Sequence, residues 1–96
     1  MRENIPITVL FADLGKSVVK SFNEFSHEEQ VYIFGMIERG VNSSDAILSA
    51  AVTTGLLEAM SGQASKAPDL EKRVESQLGE ASKKYFTDWS GWHNFR

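Results

Sequence analysis

The stretch Asp45 to Met60, DAILSAAVTTGLLEAM, is the only helix-length segment of this 96-residue chain that is apolar around nearly its whole circumference. At helical spacing Leu48, Ala51, Val52, Gly55, Leu56 and Ala59 form one stripe, while Ile47, Ala50 and Leu57 put apolar groups on the other side. A helix of this kind needs neighbours on both faces, which makes it the centre of the fold. Its small residues, Ala46, Ala50, Ala51, Gly55 and Ala59, let those neighbours come close. Beyond the first turn its one charge is Glu58, and the sequence leaves open whether that carboxylate is exposed or buried.

Working outward, the spacing predicts four helices, over about 6–24, 27–39, 44–61 and 68–86, followed by a tail over 87–96. The first opens on Pro6, read as an N1 residue, and carries Ile7, Leu10, Phe11, Leu14, Val18, Phe22 and Phe25 as its core stripe. Gly15 within it marks a place of close packing. The second opens on Ser26-His27-Glu28-Glu29, a capping box, with Gly40 as its left-handed stop. Phe34, Ile33, Ile37 and Val41 face the core, and Tyr32, Gly35 and Arg39 lie outside with Glu28. A helix-interior glycine costs about 1 kcal/mol relative to alanine, so Gly35 suggests that another helix or a partner comes near. Ser43 or Ser44 is the expected N-cap of the central helix, with Asp45 against its positive end. That helix stops at Ser61-Gly62, and the last one carries the stripe Leu70, Val74, Leu78, Ala81, Tyr85. The tail holds Trp89, Trp92 and Phe95, read as folding back over a thin core or as a partner anchor. The expected fold is thus all-α, a single-domain bundle over 1–96 of four main helices, the third being the central apolar helix on which the others are wrapped, with an aromatic C-terminal tail.

Length allows one core and no second domain. Cysteine is absent, and the N-terminal region has neither a cleavage-site pattern nor a spanning length, so the expectation is a cytoplasmic chain without a membrane segment. The net charge is only −3. Its distribution is uneven, however: residues 21–62 hold Glu24, Glu28, Glu29, Glu38, Asp45 and Glu58 against Arg39 alone. Such a field repels nucleic acid and attracts basic proteins.

Chemistry is harder to find. The only histidines, His27 in a cap and His93 in the tail, have no nucleophile in a recognisable relation to them. No E-x-x-H step offers a carboxylate-bridged metal site, and no glycine loop cradles a phosphate. Catalytic residues, metal ligands and cofactors are therefore expected to be absent. A helix-turn-helix is excluded because its recognition helix would be Asp45 to Met60, which has no Lys or Arg.

A binding module remains. The segment ERGVNSSDAILSAAVTTGLLEAM, Glu38 to Met60, resembles the acidic-helix, short-turn, TG-LLEA-helix arrangement of small all-helical immunity proteins from bacterial contact-dependent growth inhibition and related polymorphic toxin systems. The resemblance covers the middle of the chain, and Glu38, Asp45 and Glu58 match its acidic positions. It implies a cytoplasmic inhibitor without catalysis that neutralises one cognate toxin, commonly a nuclease with a basic active site. The residues expected to meet that partner are Glu24, Glu28, Glu29, Tyr32, Glu38, Asp45 and Glu58, the carboxylates pairing with Lys or Arg and Tyr32 acting as a rigid anchor. The competing expectation is a self-associating structural or regulatory protein, with Tyr32, Gly35 and the two tryptophans forming a homodimer face.

Overall fold

The computed structural model describes residues 6–86, and the aromatic positions Trp89, Trp92 and Phe95 lie outside them, as does His93. The fold is all-α and a single domain, with no strand among the described residues. Helix α1 is Ile7–Lys20, followed by a 3₁₀ turn, Phe22–Glu24. Helix α2 is His27–Val41. The central helix α3 covers 46–64 without interruption but in three registers: α over Ala46–Ala50, a wider π-helical winding over Ala51–Leu57, and α again over Glu58–Ala64. Helix α4 is Pro68–Gln77, and helical residues 80–86 form α5.

The Ser26 capping box forms as expected: the Glu29 amide donates to Ser26 Oγ at 3.1 Å and the Ser26 amide to Glu29 Oε1 at 2.8 Å. Several helix ends differ from the sequence expectation, each for a local reason. Pro6 is the N-cap of α1 rather than its first helical residue, and α1 ends at Lys20 with a tighter turn completing the approach to Glu24. Gly40 is no left-handed stop; α2 continues through it to Val41, and Gly40 is there because a side chain would press on Val52, whose Cγ2 lies 2.8 Å from where a Cβ would stand. Asp45, not Ser43 or Ser44, caps α3, accepting from the amides of Ile47 and Leu48 at 3.0 and 3.2 Å. The aspartate wins because it adds a full negative charge at the positive helix end. Helix α3 runs past Ser61-Gly62 to Ala64, since Met60, Ser61 and Ala64 are all buried and packing outweighs the cost of one helical glycine. The expected helix over 68–86 breaks at Leu78, which turns to an extended backbone and starts α5 after Gly79.

Packing of α1 on α3 is set by two glycines. A Cβ on Gly15 would collide with the carbonyl oxygen of Leu56, and one on Gly55 would lie 2.7 Å from the carbonyl oxygen of Thr8. The helices therefore meet backbone to backbone through the small row Thr8, Ala12, Gly15 and Val19 of α1. The core gathers Val19, Phe22, Phe34, Leu57, Met60, Val74 and Phe86, all nearly inaccessible. Phe22 and Phe34 meet edge to face at 5.9 Å, and the Arg73 guanidinium lies over Phe22, 5.4 Å from its ring centre, while also bonding Asn23 Oδ1. Gln30 Nε2 donates to the carbonyls of Phe22 and Phe25. These contacts fix the hinge between α1 and α2.

Candidate functional site

Helices α1 and α2 leave that hinge and each packs on α3, but neither packs along the other. Between them lies an open groove of about 720 Å³. Its floor is Leu48, Val52 and Leu56 of α3; Phe11, Leu14 and Val18 form one wall, and Ile33, Met36 and Ile37 the other. Ser17, Ser21, Ser43 and Arg39 are the polar residues of the lining, and Arg39 is the only charged one among the described residues there. A concave, largely apolar surface with a few polar groups is the usual form of a binding site.

The groove changes the reading of α1. Of its expected core stripe, Val18 and Phe22 are buried and Phe11 and Phe25 pack against the core, but Ile7, Leu10 and Leu14 stand about half exposed, Leu10 at 51% and Leu14 at 50%. Two adjacent apolar faces run along this helix, and the one built of small residues takes the core position because α3 approaches too closely for leucine. Leu14 and Met36 were not among the expected site residues. The available signal was a second row at 8, 12, 15 and 19, of small or β-branched residues, beside the large one.

The seven expected partner residues divide into two groups. Glu24 and Glu28 are exposed and have no side-chain partner among the described residues, and Tyr32 is 66% exposed on α2. The other four carboxylates have internal duties. Glu29 closes the capping box and Asp45 caps α3. Glu38 reaches across to α5, where its oxygens accept from the Ala81 and Ser82 amides, both at 2.9 Å, and from Ser82 Oγ at 2.7 Å, with Asn42 Nδ2 donating at 3.2 Å. Burial works against its charge, yet these hydrogen bonds outweigh it and hold the carboxyl below its ordinary value. Glu58, half-buried, accepts from the Tyr85 hydroxyl at 2.8 Å. Burial, that hydrogen bond and the Glu58 charge together push the Tyr85 phenol up to about 12.

Gly35 has no helix of the chain beside it among the described residues; the nearest atom to a Cβ there would be Arg39 Nη1 at 3.9 Å. Among the described residues no three metal-binding side chains converge, and no helix is long and apolar enough to cross a membrane. No protein-family model matches the chain, and comparison with curated proteins and with solved structures likewise finds no match.

Proposed function

We propose that this chain is a protein-binding module that takes a helical element of its partner into the groove between α1 and α2, and that the partner is the toxin domain implied by the immunity-protein resemblance. The observation that supports the binding reading is the groove itself, an apolar channel left open while the small face of α1 serves the core. An amphipathic helix laid into an apolar groove is a recurrent recognition mode. Glu24 and Glu28, unengaged around the hinge, offer carboxylates to a basic partner, and Tyr32 offers a rigid aromatic contact beside Met36. Glu29, Glu38, Asp45 and Glu58 then contribute field rather than direct contacts, because their oxygens already accept hydrogen bonds within the chain. Inhibition on this reading takes place in the cytoplasm, without catalysis, by steric cover.

Affinity carried by apolar burial has a salt signature. A complex held mainly by surface charge dissolves at high ionic strength, whereas one held in an apolar groove survives it. The experiment is capture by tagged protein from lysate of the source cells, washed at low and at high salt, repeated with Leu14→Glu, Met36→Glu and Glu28→Lys. A basic toxin fragment retained in near-equal amount through the high-salt wash, and lost with either groove variant, is the expected result. Glu28→Lys should slow its association and leave the high-salt complex intact. Retention of that fragment by both groove variants would overturn the reading.

A further inference from the structure

We propose that, without a foreign partner, the groove of one molecule receives α1 of a second copy, so that the protein alone is a two-fold dimer. Two unfilled features lie side by side on this molecule. One is the groove, and the other is the row Ile7, Leu10 and Leu14, about half exposed on α1, of which Leu14 also lines the groove. Positions i, i+3 and i+7 are the anchor spacing with which an amphipathic helix enters an apolar groove. Because a two-fold contact is isologous, an axis beside α1 sets each molecule's row into the other's groove and covers both features at once.

Charge agrees with this guest. Among the described residues Arg39 is the only charged one lining the groove, and it has no hydrogen bond or ion pair with them. Helix α1 carries Asp13 next to Leu14, exposed and likewise without a partner among the described residues. An incoming α1 therefore brings an apolar row flanked by a carboxylate to an apolar channel holding one cation. Leu10, Leu14 and Met36 are each about half exposed, and Tyr32 more so.

The groove is shared with the function proposed above, but the dimer needs only the purified chain, so the two readings fail separately. Sedimentation equilibrium from low-micromolar to near-millimolar concentration should show the mass rising from 10.7 kDa to twice that value. Leu14→Glu, at a half-exposed position, should keep its helical circular dichroism and remain monomeric. A mass of one chain at every concentration would overturn the proposal, leaving the groove to a foreign helix. A dimer that Leu14→Glu leaves intact would overturn it too, placing the contact on another face.

Discussion

Glu38 and Ser82, separated by 44 positions, are joined twice: one carboxylate oxygen accepts both the amide and the hydroxyl of the serine. The glutamate thus performs for α5 the service that a local serine or aspartate performs for most helices. Gly79 leaves room for it, since a Cβ there would stand 2.5 Å from the Glu38 carboxyl carbon. Replacing Glu38 with Ala should cost about 1–2 kcal/mol, the range for a lost cap, and should expose Ser82, which is otherwise fully buried. Chemical denaturation checks the first, and amide exchange at Ala81 and Ser82 the second.

The same carboxyl predicts an acid limb. Its folded-state value lies below the ordinary 4.5, so folding favours the charged form. The stabilisation it gives is complete above that ordinary value and is lost as pH falls through the lower, folded value. Thermal melts on the acid side should show this decline, and Glu38→Gln, less stable at neutral pH, should show a flatter one.

Tyr85 predicts an alkaline limb of opposite sign. With its phenol raised from 10.0 to about 12, folding favours the protonated form, and the stabilisation present below 10.0 is lost as pH rises toward 12. In a Tyr32→Phe background, phenolate absorbance after a rapid pH jump should titrate near 12, and Glu58→Gln should lower that midpoint by removing the negative charge. An unchanged midpoint in the glutamine variant would contradict the pairing.

Glycines separate into two kinds by what surrounds them. Gly15→Ala and Gly55→Ala should each destabilise by about 1–3 kcal/mol, because the new methyl meets backbone that cannot step aside. Gly62→Ala meets no atom within 4 Å and should instead stabilise by about 0.4–1 kcal/mol. Gly35→Ala should behave like Gly62→Ala in the isolated chain. Melting temperatures of the four variants decide the matter.

Much of this architecture was legible in residues 45–60, whose all-round apolarity demanded neighbours on two sides, and in the capping box at Ser26, where both partners lie within one turn. Legibility failed where the deciding partner is distant in the chain. Nothing near Gly79 announces that Glu38 will start a new helix there, so 68–86 read as one stripe. Likewise, the large residues of α1 look like its core face until the backbone contacts at Gly15 and Gly55 give that place to the small ones. The acidic middle was plain as composition. How many of its carboxylates are already engaged depends on the contacts of Asp45, Glu38 and Glu58, which charge counting does not see.

The wide winding over Ala51–Leu57 has a consequence for chain length. There the Glu58 amide reaches back five residues to the Thr53 carbonyl, and the hydroxyls of Thr53 and Thr54 take up the carbonyls of Ser49 and Ala50. Such a winding accommodates one residue more than an ordinary helix while its two ends keep their faces. The middle of α3 therefore contains slack: excising exposed Thr54 should let 46–64 close as a plain α-helix, with Val52 still under the groove and Glu58 still at Tyr85. The same excision within α2 would turn every later residue by about 100° and dismantle the core.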